Sequence, residues 1–160
     1  MKELNVWRPV ELDGIDSLFA MGHCKLILGD YDALSIHCGM SPEDISFGEI
    51  GSPYILGSYT SIWRVLSGPE LVAGSKYLDL TRSQMFEKLR ALKVGMLNSI
   101  GFNSIGDVRI KTTNNFAIEF FRTLPPDGDE FFHIFMPGNT VAILADRGWK
   151  VGPSDTPWGD

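Results

Sequence analysis

Two His-Cys dipeptides, His23-Cys24 and His37-Cys38, are the residues of this chain best suited to chemistry. Two imidazoles and two thiols make the donor set of a tetrahedral zinc site. One thiol beside one imidazole makes an activated nucleophile. The spacing argues against both uses. The runs at 24–29 and 33–38 read as strands, with Gly29-Asp30-Tyr31-Asp32 as the turn between them. A turn centred between Asp30 and Tyr31 sets Cys24 opposite His37 and His23 opposite Cys38. Neighbours along a strand point to opposite faces, so each face receives one Cys and one His, short of four ligands. A free cysteine is otherwise a small core residue. The expectation is two reduced thiols, with no metal, no cofactor and no catalytic residue.

The remaining candidates are weaker. His133 stands in Phe131-Phe132-His133-Ile134-Phe135, where aromatic neighbours favour a packed histidine. Arg64 follows Trp63, but a single Arg is not an anion site. Asp107, Asn98 and Asn103 have turn-like surroundings and no catalytic role is expected of them. Acids are plentiful in Pro- and Gly-rich loops: Glu43-Asp44, and Asp127, Asp129 and Glu130 within Pro125-Pro126-Asp127-Gly128-Asp129-Glu130. Such acids are suited to meeting a basic partner rather than to acid–base catalysis. No P-loop, dinucleotide-binding glycine motif, HExxH or GxSxG occurs.

The elements that must position these residues are mostly strands. After the first hairpin, residues 39–58 carry four glycines and two prolines and read as a long irregular connection, with Ile45, Phe47 and Ile50 as a short edge strand. A second hairpin turns at Ser67-Gly68-Pro69-Glu70. One helix is expected over about 80–92, capped by Asp79 or Thr81, with Met85, Phe86, Leu89 and Leu92 on one face. Val94 to Ile100 then alternates as a strand. Further strands are expected at 106–112, 116–121, 131–136 and 140–145, with turns at Asn114-Asn115 and Gly138-Asn139. The tail, 152–160, is expected to be flexible.

Two stretches repeat loosely. The segment LILGDYDALSIHC resembles IKTTNNFAIEFF, and WRVLSGPELVAG resembles HIFMPGNTVAIL. The pattern predicts one domain over 1–160 with an internal repeat at about 24–78 and 93–150. Leu34 and Ile36 would match Phe116 and Ile118, and Trp63 would match His133. The fold class is α+β, with two similar halves of mostly antiparallel sheet and one main helix.

A net charge of −6 and a pI near 5.0, without a basic stripe, argue against nucleic-acid binding, whose affinity comes largely from phosphate neutralisation. An acidic surface is compatible with a basic protein partner. No apolar run approaches the ~20 residues that span a bilayer, and the start lacks a charged-then-apolar leader pattern. The cytoplasm is the expected location.

One further pattern carries a resemblance. Leu92-Lys93-Val94-Gly95-Met96-Leu97 precedes Gly106-Asp107-Val108-Arg109-Ile110, Phe116-Ala117-Ile118-Glu119-Phe120-Phe121, Phe132-His133-Ile134-Phe135-Met136-Pro137-Gly138 and Gly148-Trp149. Ile62-Trp63-Arg64-Val65 and Ser67-Gly68 stand at the matching place in the first half. This resembles small bacterial proteins of two degenerate α+β halves, several of which are immunity proteins encoded beside polymorphic or contact-dependent toxins. The resemblance covers about 24–150. It implies a protein without catalysis that binds and blocks one toxin domain, and carries over no set of residues; the loop acids Asp127, Asp129, Glu130, Glu43 and Asp44 are the expected contacts from their charge and setting. The alternative is a small-molecule or peptide-binding domain that uses 39–58 as a lid.

Overall fold

Alternating apolar residues and short polar turns leave this chain few options other than hairpins, and hairpins dominate the fold. The computed structural model describes residues 7–10, 23–29, 32–40, 54–58, 62–75, 80–103, 105–122, 132–136, 140–145 and 148–153. The strands are β1 (Arg8–Pro9), β2 (His23–Leu28), β3 (Leu34–Met40), β4 (Tyr54–Ser58), β5 (Ile62–Ser67), β6 (Glu70–Gly74), β7 (Leu97–Phe102), β8 (Val108–Thr112), β9 (Phe116–Phe121), β10 (Phe132–Met136), β11 (Thr140–Ala145) and β12 (Gly148–Pro153). The helix α1 spans Arg82–Ala91.

The strands form two six-stranded antiparallel sheets, in the orders β1-β7-β8-β9-β5-β6 and β12-β11-β10-β4-β3-β2. Each sheet takes a three-strand meander from one half of the chain and a hairpin from the other. The meander β7-β8-β9 carries the hairpin β5-β6, and the meander β2-β3-β4 carries the hairpin β10-β11. The chain changes sheets between Pro9 and His23, between Ser58 and Ile62, and again between Phe121 and Phe132. The halves are therefore exchanged between sheets, not laid down as one sheet each.

This exchange alters the expected strand equivalence. Leu34 and Ile36 lie on β3, the middle strand of its meander. Phe116 and Ile118 lie on β9, the last strand of the other meander, where β4 lies in the second sheet. Trp63 is buried in the core, whereas His133 points to the face opposite Phe132 and Ile134, which are core residues. The Trp63–His133 match is one residue out of step.

The inner faces of the two sheets share one apolar core. Leu26, Leu34, Ile36, Leu56, Phe132 and Ile134 come from the second sheet, and Trp63, Val65, Ile110, Ile118 and Phe120 from the first. Phe120 and Phe132 meet edge to face across the boundary, with ring centroids 5.1 Å apart, an arrangement that suits the ring quadrupoles.

Residues 54–58, expected to be irregular, form the inner strand β4 of the second sheet. Gly57 makes this possible: a Cβ at that position would sit 2.5 Å from the Leu34 carbonyl oxygen on β3. Gly152 and Pro153, expected in the flexible tail, instead pair with Val141 and Thr140; the rest of that stretch, 154–160, lies outside the described residues. The proposed edge strand near Ile45, Phe47 and Ile50 and the turn at Gly138-Asn139 lie outside the described residues.

Helix α1 begins with a reciprocal cap. Gln84 N–H donates to Thr81 Oγ1 (3.2 Å), and Thr81 N–H donates to Gln84 Oε1 (2.9 Å). Met85 and Leu89 bury one face, with Phe86 and Leu92 packed beside them. The helix lies against β2, and Arg82 ties its first turn to the Gly29 carbonyl and pairs with Asp32 at 3.4 Å. No helix among the described residues is long and apolar enough to cross a membrane.

Candidate functional site

The first sheet has an outer face, and its pairing register places one polar row across it. Gly74, Arg64, Glu119, Arg109, Gly101 and Pro9 are successive partners from β6 to β1. Period-2 alternation puts all six on the side away from the core residues Val65, Ile118 and Ile110. Arg64 Nε donates to Glu119 Oε1 at 2.9 Å, and Arg109 Nη2 donates to Oε2 at 3.0 Å. Both carboxylate oxygens are thus taken, and the Glu119 side chain is only 2% exposed while Arg64 and Arg109 are 41% and 29% exposed.

Two rings flank this row. The Arg64 guanidinium lies 5.2 Å from the Phe121 centroid, and that of Arg109 lies 4.3 Å from the Trp7 centroid. Stacking on a ring holds a guanidinium in place by its flat face. Trp7 lies over Gly101: a Cβ there would make an ordinary contact with Trp7 Cβ at 3.5 Å and a tight one with the Arg8 carbonyl oxygen at 3.3 Å. Beside Trp7 a groove of about 250 Å³ opens, lined among others by Arg8, Ser99, Arg109 and Lys111.

Glu119 has opposite effects on stability depending on what replaces its partners. Removing one member of a buried ion pair costs ~3–5 kcal/mol when the partner stays buried. Here both arginines retain solvent access, so Glu119→Ala should cost about 2 kcal/mol. Replacing Arg64, Glu119 and Arg109 together by leucine should restore most of that loss, because no charge is then stranded. Urea unfolding of the two variants checks this. A triple variant less stable than Glu119→Ala would contradict it.

The cysteines are placed differently from the expectation. Leu28 pairs with Leu34, which leaves five residues between them, so partners from Cys24 onward move by one: Cys24 faces Cys38 and Lys25 faces His37, while a register shift between His23 and Cys24 sets His23 opposite Met40. Gly29 N–H donates to the Ala33 carbonyl at 2.8 Å and Asp32 takes a φ of 59°, which closes this odd-length loop. The Cys24 and Cys38 sulfurs lie 3.0 Å apart in the core, and both thiols are free. The hydrogen bond from Cys24, and then burial, push the Cys38 thiol well above its ordinary pKa. A thiol kept protonated is a poor nucleophile, and His37 is not its cross-strand partner.

Both thiols should therefore resist iodoacetamide in the folded protein and react once guanidinium unfolds it. At least ~100-fold protection is expected if alkylation requires unfolding. Stoichiometric labelling of the native protein within minutes would rule this out. Among the described residues, no three His, Cys, Asp or Glu side chains lie together as a metal-binding group.

His133 is buried on the outer face of the second sheet, 4.8 Å ring to ring from Phe135. Burial lowers its pKa from 6.5 to about 4. Asp107 and Asn103 close the β7–β8 turn: Asp107 N–H donates to Asn103 Oδ1 at 2.9 Å, and Arg122 N–H donates to Asp107 Oδ1 at 2.8 Å. Both residues work structurally. The loop acids Glu43, Asp44, Asp127, Asp129 and Glu130 lie outside the described residues. The polar row was not anticipated from sequence. Its signal is a charged residue inside each of three apolar strands, one in IWRVLS, one in FAIEFF and two, Arg109 and Lys111, in VRIKT.

Compared with known proteins, the chain matches no family model, no curated protein and no solved structure.

Proposed function

We propose that this protein acts by binding another protein, as an immunity protein that occludes a cognate bacterial toxin domain in the cytoplasm. One observation carries the binding reading: the fixed row of Arg64, Glu119 and Arg109, with Trp7 and Phe121 stacked on its guanidinium groups. Arginine and aromatic side chains held in place lose little freedom on association, and these types dominate protein interfaces. The resemblance of the chain to two-half immunity proteins supplies the toxin as partner. In this reading the loop acids Asp127, Asp129, Glu130, Glu43 and Asp44 face a basic toxin surface and speed encounter.

Coexpression with the toxin domain encoded beside it should yield a stable complex and restore growth. Charge reversal at Asp127, Asp129 and Glu130 should slow association and weaken its salt dependence while leaving the melting temperature unchanged. Absence of both binding and protection with the neighbouring toxin domain would refute the toxin reading. One other reading, a non-catalytic domain that binds a small molecule or peptide, would seat one side chain of a peptide in the groove beside Trp7.

A further inference from the structure

The groove beside Trp7 holds more positive charge than the ion pairs among the described residues use. Arg8, Arg109 and Lys111 line it together with Trp7, Ser99 and Gly101. Arg8 and Lys111 are exposed and take part in none of the ion pairs formed among the described residues. Arg109 spends one amino group on Glu119, and its buried Nε has no hydrogen-bond partner. Glu119 is the carboxylate that pairs with Arg109, and both its oxygens are already engaged. Among the described residues, the face therefore carries Arg64, Arg109 and Lys111 against the single carboxylate of Glu119, and Arg8 lines the groove from the edge strand β1, on a chain whose net charge is −6.

We propose that this groove, between β1, β7 and β8, is a docking site for an acidic side chain of a protein partner. The inference does not depend on the partner being a toxin. Charge complementarity names the occupant. Glu119 already shows how this face holds a carboxylate, between two guanidinium groups, and a partner's Asp or Glu would take the neighbouring place between Arg109, Arg8 and Lys111. The size agrees: about 250 Å³ lies below the ~300–1,000 Å³ typical of pockets for drug-sized ligands and suits a single side chain. A nucleic-acid strand fits less well. The chain is acidic overall, and one face of the Trp7 ring is already covered by the Arg109 guanidinium, which removes a platform on which a base would stack.

The test uses the full chain and an end-blocked, fluorescein-labelled hexaglutamate peptide, followed by anisotropy at low salt. The peptide should bind, and a hexaglutamine peptide should not. The double variant Arg8→Gln, Lys111→Gln should weaken binding about ten-fold, the expected size for two exposed charges. Its thermal melt should match that of the original protein, since neither side chain supports the fold. The control Lys88→Gln, Arg90→Gln on helix α1 should leave binding unchanged. Equal losses in both double variants, or no binding of hexaglutamate, would overturn the proposal. So would tighter binding, at the same two residues, of a hexathymidine oligonucleotide, because the site would then be one for phosphate.

Discussion

Trp63→Ala should destabilise the protein by about 3–5 kcal/mol, the usual range for removing a large buried aromatic ring. Trp63 is 1% exposed and joins the two sheets physically. Its ring fills the inner face of the first sheet, and its indole N–H donates to the Asp32 carbonyl in the β2–β3 loop of the second, at 2.9 Å. The truncation thus opens a cavity and strands a carbonyl whose residue is already held at a positive φ. Trp63→Phe separates the two effects. It keeps most of the ring and loses the donor, so it should cost about 1–2 kcal/mol. Urea unfolding followed by circular dichroism reads both values. A loss below 1 kcal/mol for the alanine variant would mean that the inner faces close without Trp63.

Acid should weaken the fold through His133. Its imidazole stays neutral in the folded protein down to about pH 4, whereas the unfolded chain takes up a proton near 6.5. Between these values the unfolded state binds more protons, so stability falls as the pH drops from 6.5 to 4 and then levels off with respect to this group. A gap of this size corresponds to roughly 3 kcal/mol in full. Carboxylates also titrate at the lower end, so the informative quantity is the difference between the original protein and His133→Gln. That difference should shrink steadily as the pH falls through the window. Parallel stability profiles would show that His133 is protonated in the folded state without penalty.

The two predictions draw on different kinds of information. That Phe132 and Ile134 would be buried was legible from strand composition, and so was a packed His133. Which face His133 takes was not legible, since both faces of the second sheet bury residues: Ile143 is 5% exposed outside the core, and Leu144 4% within it. Strands covered on both sides lose the alternation that marks a face. The same loss hid β4. Tyr54–Ser58 is buried along most of its length, contains a glycine and follows a glycine- and proline-rich stretch, so it reads as a loop.

The cysteine register was misjudged for a different reason. Cys24, Leu26 and Leu28 alternate, and so do Leu34, Ile36 and Cys38. Matching those two apolar rows already requires Cys24 opposite Cys38. The turn residues alone suggested an even loop, and a one-residue slip exchanges the faces. Burial of the row overruled the turn chemistry.

By itself, the sequence determined the local structure: the Thr81 cap and the Met85–Leu89 face of the helix, the hairpin turns at Ser67-Gly68 and Asn114-Asn115, and an antiparallel, strand-rich α+β chain. These depend on side chains a few residues apart, whose propensities act wherever the segment is placed. Tertiary structure alone decided which strands became neighbours. Backbone hydrogen bonds are blind to sequence, so β5 pairs as well in principle with β4, its neighbour along the chain, as with β9. The choice follows from how two apolar faces close over one core, and it exchanged the hairpins between the sheets. That same choice brought Arg64 of β5 beside Glu119, which already faces Arg109 across the β8–β9 hairpin, and so completed the row.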